Sequence, residues 1–354
     1  MKSLAGTLAA PFPYFGGKSL ACADVWGAFG EVDCYVEPFA GSAAMLLAAP
    51  DGKRVETIND ADGFVANFWR AIAHDADAVA EWADWPVNEA DLFARHSWLV
   101  RQSAGLLDAL HADPEHYDAR IAGWWCWGAC NWIGSGWCSG IGPWVHDGER
   151  IVDRRQLPHL GDAGQGINRQ LPHLGDAGQG INRQLPHLGN AGKGINRKLP
   201  RLVNAGRGTR GAYIREWFGL LHERMREVRV ACGDWSRVLS SSVTTRHGRT
   251  GIFLDPPYTN GEMDYAAGGV GGALASDVRD WCASNGDDPQ LRIVLCGHAG
   301  EHDALIARGW RVRRWTARKG YAATDEAVAN SASETLWCSP HCATAQAAQP
   351  ELFA

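Results

Sequence analysis

The stretch EVDCYVEPFAGSAAMLLAA, residues 31–49, passes from a short apolar segment, Cys34 to Val36, through a turn at Glu37 and Pro38 into a glycine-containing entry to an Ala- and Leu-rich helix. KRVETINDADGFVANFWRAI, residues 53–72, repeats the pattern. Val55 to Ile58 alternate as a strand does, Asn59 and Asp60 form a polar stop, and Phe64 to Ile72 have helical spacing. Two successive strand-to-helix units predict an α/β fold built on a parallel sheet.

Working outward, residues 75–110 read as helical, with Trp82, Trp85, Phe93, Trp98 and Leu106 expected in the core. Glycine and tryptophan then dominate GWWCWGACNWIGSGWCSGIGPW, residues 123–144, where Trp124, Trp125 and Trp127 are expected to fill a small core. YIREWFGLLHERM (213–225) has the apolar spacing of an amphipathic helix. After it α/β character returns, with strands in VRVACGDW (228–235), TGIFLDPPY (250–258), LRIVLCGH (291–298), WRVRRWTA (310–317) and ETLWCS (334–339), and a helix in DVRDWCASNG (277–286). Consecutive strands at the end, without a helical spacer, predict an antiparallel edge on a mostly parallel sheet. One α/β domain is therefore expected in two pieces, 1–74 and 228–345, with 75–227 inserted as a second domain and 346–354 as a flexible tail.

Inside the insert a 14-residue unit, RQLPHLGDAGQGIN, recurs in four copies over residues 155–210, the last eroded to RKLPRLVNAGRGTR. Three apolar anchors per copy are few for an independent solenoid. The copies keep an arginine at one phase, Arg155, Arg169, Arg183 and Arg197, with Lys198 beside the last. The chain's net charge of -6 hides a basic island, because residues 150–230 hold fifteen Lys and Arg against six Asp and Glu. Clustered cations among glycine-rich turns suit a loop array that follows a phosphate backbone; a solvated spacer grown by duplication is the alternative. Near-identical tandem copies look recently duplicated, which suits a phage or other mobile element.

The sharpest chemical signal is GIFLDPPYTN, residues 251–260. An apolar strand ends in Asp255, Pro256, Pro257 and Tyr258, and open α/β sheets bind ligands beyond the carboxyl ends of their strands. Two prolines fix the backbone and remove two N–H donors, leaving carbonyls that can only accept. A carboxylate, a fixed carbonyl and an aromatic face suit a planar ring that bears an amine.

DPPY, with EPFAGSAA (37–44) and PFPYFGGK (11–18) upstream, resembles the Dam-type (D12 class, α-group) DNA adenine-N6 methyltransferases, over residues of about 11–72 and 228–338. The order of motifs also matches, with the recognition insert lying between the glycine motif and DPPY. The resemblance implies a Rossmann-like, S-adenosylmethionine-dependent fold with an inserted target-recognition domain, acting on double-stranded DNA by base flipping. It implies that Asp255 and the Pro256 carbonyl accept the adenine amine, that Pro257 keeps the loop rigid, and that Tyr258 stacks on the base. For the cofactor it implies Tyr14, Phe15, Gly17 and Lys18, then Glu37, Pro38, Phe39 and Gly41, with Asp60 at the ribose and Asp234 near the adenine. Taken alone, Asp60 reads equally as a helix N-cap and Asp234 as a strand-end carboxylate facing water. Asn131 resembles the segment leading into the family's recognition loop, which would place it at DNA.

Other chemistries fit less well. A cytosine-C5 enzyme needs a cysteine nucleophile, usually after proline, and no proline here precedes cysteine. Cytosine-N4 transfer, and a decayed methyltransferase that only binds DNA, are the alternatives. Cys126, Cys130 and Cys138 lack paired C-x2-C spacing, so no metal is expected. The ten cysteines fit reduced thiols, and no apolar run of spanning length or signal-peptide core appears, so a cytoplasmic protein without membrane contact is expected. The last residues, QPELFA, place Gln349, Leu352 and Phe353 in the Q-x-x-L-F pattern of peptides that dock on bacterial sliding clamps; a plain tail is the other reading.

Overall fold

The computed structural model describes residues 8–14, 18–132, 137–138, 144–146, 151–153, 210–257, 271–314 and 334–344. Its centre is a seven-stranded sheet in the order β5-β2-β1-β6-β7-β9-β8. The strands are β1 (Cys34–Glu37), β2 (Val55–Asp60), β5 (Arg229–Cys232), β6 (Thr250–Leu254), β7 (Leu291–His298), β8 (Arg311–Arg314) and β9 (Glu334–Cys338). β1, β2, β5, β6 and β7 pair in parallel, while β9 runs antiparallel to both β7 and β8. The antiparallel edge read from the consecutive terminal strands is therefore present. β3 (Trp144–His146) and β4 (Ile151–Asp153) form a separate antiparallel pair between the two halves of the sheet sequence.

The central strands are short and apolar on both faces, as a sheet covered on both sides requires. β1 and β6 are buried along their whole length. Alternation then divides their side chains between two cores. Tyr35, Phe253, Val294 and Cys296 join one cluster with α1 (Cys22–Phe29), α3 (Gly63–Ala83) and α5 (Ala119–Asn131). Cys34, Val36, Ile252, Leu254, Ile293 and Leu295 join the other, against Val278 and Cys282 of α7 (Gly271–Asn285). A one-residue shift in any of these strands would exchange the two sets.

Helix starts follow from side-chain caps. Asp62 accepts the Phe64 N–H at 2.8 Å to open α3, Asn88 accepts that of Asp91 at 2.8 Å to open α4 (Glu89–Ala112), and Asp118 accepts that of Ile121 at 2.8 Å to open α5. α3 breaks at Asp75, where φ is -147° and ψ 68°, and the Asp75 carboxylate caps the continuation through the Ala78 N–H. α6 (Arg210–Met225) buries Ile214, Phe218, Leu221 and Met225, one helical face, against the same core as α3. Arg70 joins these parts: its Nε donates to the Val230 carbonyl and its Nη1 to those of Leu110, Asp113 and His116. Helices before and after the Asp75 break are thus fastened to the sheet.

Two expected core residues lie elsewhere. Trp82 and Trp85 are 40% and 46% exposed, whereas Leu106 is buried, as are Trp125 and Trp127. The reason is local: Arg120 covers one face of Trp82 and Arg95 one face of Trp85, at 5.4 and 5.0 Å from the ring centroids. A guanidinium stem shields an indole face while leaving the other in water. Among the described residues no helix is long and apolar enough to cross a membrane, and no cluster of His, Cys, Asp and Glu could hold a metal ion.

Candidate active site

In this strand order the chain proceeds from β1 outward through β2 and β5 on one side, and from β6 through β7 on the other, so the topology reverses between β1 and β6. Such a switch point opens a crevice at the carboxyl ends of its strands. Glu37 ends β1 there, Asp60 ends β2, and Asp255 follows β6 directly.

On the β1–β2 side three loops are stitched together. The Asn59 side-chain amide donates to the Pro38 carbonyl at 3.0 Å and to the Gly233 carbonyl at 2.9 Å, and the Asn59 carbonyl accepts the Ala40 N–H. Asp60 accepts the Gly41 N–H at 2.8 Å on one oxygen and the Asp62 N–H at 2.9 Å on the other. The loop bends at Gly41, with φ of +47°, and a Cβ there would lie 2.3 Å from the Tyr14 ring. Glycine is required twice over, by conformation and by the approach of Tyr14. The Trp69 indole N–H donates to the Gly41 carbonyl at 2.9 Å and fixes the turn from below. Phe39 stacks on Trp235 with ring centroids 6.0 Å apart, and Asp234 caps the short 3-10 turn at Trp235–Leu239 through the Ser236 N–H at 2.9 Å.

Two carboxyls here are pushed up. Burial raises Glu37 to about 8, against the opposing pull of its Tyr35 hydroxyl and Leu46 N–H donors, and Asp255 and Asp60 add to the rise. Burial and then the neighbouring Asp62 charge raise Asp60 to about 7, against its backbone N–H donors. Both therefore titrate near neutral pH.

On the β6 side the buried Lys18 ammonium stands 3.3 Å from Asp255 Oδ1 and 3.5 Å from Glu334 Oε1. Burial by itself would favour loss of the proton, but the charges of Asp255 and Glu334 outweigh it and hold Lys18 above its ordinary value. The two sides meet electrostatically, since Asp255 lies close enough to Glu37 to raise it. Tyr14, Lys18, Glu37, Pro38, Phe39, Gly41, Asp60, Asp234 and Asp255 are thus gathered around the crevice, with Pro256 buried and Pro257 half-buried after Asp255.

Residues 14–98 match the family described as D12 class N6 adenine-specific DNA methyltransferases. The matched span holds Tyr14, Lys18, the Glu37–Gly41 loop and Asp60, and the sheet agrees with an S-adenosylmethionine-dependent methyltransferase fold. The D12 class match supports an adenine-specific DNA methyltransferase. No curated protein matches the chain closely enough to count as a relative.

Several expected site residues lie outside the described residues: Phe15, Gly17, Tyr258, Arg155, Arg169, Arg183, Arg197, Lys198, Gln349, Leu352 and Phe353. Asn131 is described, and its side-chain amide bonds to the Trp127 carbonyl of its own helix. Sequence reasoning missed Glu334, Asn59, Tyr35 and Trp69. From sequence Asn59 reads only as a strand stop, and Tyr35 and Trp69 only as members of an apolar strand segment and a helical run. Glu334 carried no motif, because only the antiparallel return of β9 brings it to Lys18.

Proposed function

We propose that this protein transfers the methyl group of S-adenosylmethionine to N6 of an adenine flipped out of double-stranded DNA. The observation that carries the reading is the buried Lys18–Asp255 pair at the switch point, beside the Glu37–Gly41 loop. A charged acceptor held at that edge suits an amine that must be oriented for attack.

The crevice fits the methyl donor. Gly41 lets a backbone come close where a side chain could not stand, and Asp60, though it takes backbone N–H donors, keeps acceptor capacity for a ribose hydroxyl. Tyr14, Phe15, Gly17, Lys18, Glu37, Pro38, Phe39, Gly41, Asp60 and Asp234 form its surroundings in this reading. When bound, the donor supplies a methyl group on a sulfonium. Asp255 accepts one N6–H and the Pro256 carbonyl the other, which favours a pyramidal nitrogen whose lone pair is no longer spread into the ring. Pro257 holds the loop, Tyr258 stacks on the base, and Lys18 holds the Asp255 carboxylate in place. Extrusion of the base costs on the order of a few kcal/mol, recovered in stacking and edge contacts.

Residues 1–74 and 228–345 would form the catalytic domain and 75–227 the target-recognition insert, a division supported by the Asp75 break. Arg155, Arg169, Arg183, Arg197 and Lys198 would track phosphates, with Asn131 nearby. The tail, through Gln349, Leu352 and Phe353, would recruit the enzyme to the sliding clamp; clamp binding unchanged on deletion of 349–354 would dismiss that part.

The test is transfer of labelled methyl to adenine in duplex DNA. Asp255→Ala is expected to abolish transfer and keep DNA binding. Full activity in that variant, or label recovered on cytosine, would refute the assignment.

A further inference from the structure

We propose that Glu334 is a positioning residue for methyl transfer: from the far side of β7 it shares the Lys18 ammonium with Asp255, so that Asp255 keeps enough negative charge to act as a strong acceptor for the substrate amine. The inference rests on the proposed function and extends it to a strand outside the matched segment.

The geometry is set by the sheet. β7 lies between β6 and β9, and Glu334, the first residue of β9, pairs in register with His298, the last residue of β7. Asp255 follows β6 on the other side of β7. Lys18 therefore spans the end of β7, with carboxylate oxygens at 3.3 and 3.5 Å from two strands that do not touch. Lys18 itself is fixed from behind, its carbonyl accepting the Ala21 N–H at 2.8 Å where α1 begins.

Chemistry argues that this is more than a strut. One ammonium serves two carboxylates in a site where its side chain is 3% exposed, and its three N–H donors leave room for both. The second oxygen of Glu334 is buried with no hydrogen-bond partner among the described residues. A buried carboxylate with an unmet oxygen is costly, and the arrangement contributes poorly to stability. Its effect falls on Asp255. In a one-to-one pair the ammonium would draw down the acceptor strength of Asp255; with Glu334 sharing it, the Asp255 charge remains less compensated. Burial and Asp255 in turn push the Glu334 carboxyl up, and Lys18 opposes them, which shows the two acids are coupled through the same cation. Among the described residues, the other titratable groups around the cluster are Cys296 and His298 on β7 and Glu37 on β1.

Glu334→Gln keeps the shape and removes the charge. Its plateau kcat is expected to fall by about tenfold, the lower end of what outer-shell partners of metal ligands contribute. Donor and DNA affinities should stay within about twofold of wild type, on the uniform-binding criterion. The acid limb of the kcat profile should move to lower pH, because loss of a like charge makes Asp255 easier to ionise. In a Lys18→Gln background the same substitution should move that limb less, because only the direct repulsion between the two carboxylates remains to be lost. Thermal melting and donor binding of Glu334→Gln establish that it is folded, and Glu334→Asp, which restores the charge on a shorter stem, should recover part of the rate. A wild-type kcat and unmoved acid limb in Glu334→Gln would overturn the role of Glu334. So would an equal loss of donor affinity, which marks a structural effect. A wild-type protein that transfers no methyl group removes the functional reading and this role with it.

Discussion

Gly41→Ala tests whether the crevice is held by backbone conformation and by Tyr14 together. At Gly41 φ is +47°, and an alanine there costs about 1–2 kcal/mol in the left-handed region. The added Cβ would also lie 2.3 and 2.5 Å from Tyr14 Cε1 and Cδ1. Forcing that ring aside is an overpacking cost of about 1–3 kcal/mol. The single substitution is therefore expected to destabilise by about 2–5 kcal/mol, read as a lowered urea midpoint with unchanged slope. The two contributions separate in a cycle with Tyr14→Ala. Removing the ring relieves the contact but not the backbone strain, so the double variant should be more stable than the sum of the singles predicts, by about 1–3 kcal/mol. Because the Gly41 N–H and carbonyl fix Asp60 and Trp69, methyl-donor affinity should fall in the single variant and partly return in the double. Additive effects within about 0.5 kcal/mol would refute the contact. A Gly41→Ala protein as stable as wild type would refute the strain as well.

The raised acids give a pH dependence of definite sign. Asp60 at about 7 and Glu37 at about 8 hold protons in the folded chain that the unfolded chain releases near pH 4, so their contribution to stability is full below about pH 4, falls as pH rises from there, and is gone once pH passes 7 for Asp60 and 8 for Glu37. The urea midpoint of the ligand-free protein should fall from about pH 5 to pH 8 and level off above that, less so in Asp60→Asn; a flat profile shared by both proteins counts against the shifts. If Asp60 takes ribose hydroxyls as a carboxylate, donor binding should tighten above pH 7 and release a proton below it, measurable by calorimetry in buffers of different ionisation enthalpy. Deleting two of the four repeat copies removes two phased arginines, so the slope of log affinity against log salt should become shallower by about 2 while the methylated adenine stays the same. A changed recognition sequence would mean that the repeats read bases.

The fold was legible because its determinants are local. Strand-to-helix units at 31–49 and 53–72, and the apolar run before Asp255, announce a parallel sheet by periodicity alone, and β1, β2 and β6 stand where those patterns fall. Trp82 and Trp85 were misread for a physical reason. Tryptophan at helical spacing signals a buried face, but arginine can supply the apolar cover instead, and Arg95 of α4 and Arg120 of α5 reach Trp85 and Trp82 only once those helices fold back on α3. Arg70 was invisible likewise, since its four carbonyl partners come from β5, from the last turn of α4 and from the turn after it.

The half of the site around Gly41 could be read because its chemistry sits in contiguous motifs; the half around Lys18 could not be read in full. Lys18 and Asp255 each belong to a recognisable stretch, yet nothing in ETLWCS distinguishes Glu334 from a solvent-facing strand residue. Its role depends on β9 entering between β7 and β8 in the reverse direction, which puts the first residue of one strand beside the last residue of its neighbour. Had β9 run parallel, its amino end would have faced the opposite edge of the sheet, and Lys18 would have met Asp255 alone. The antiparallel strand is thus the feature of this topology that delivers a carboxylate from a strand's beginning to the edge where every parallel strand ends, and the charge balance of the reacting site follows from it.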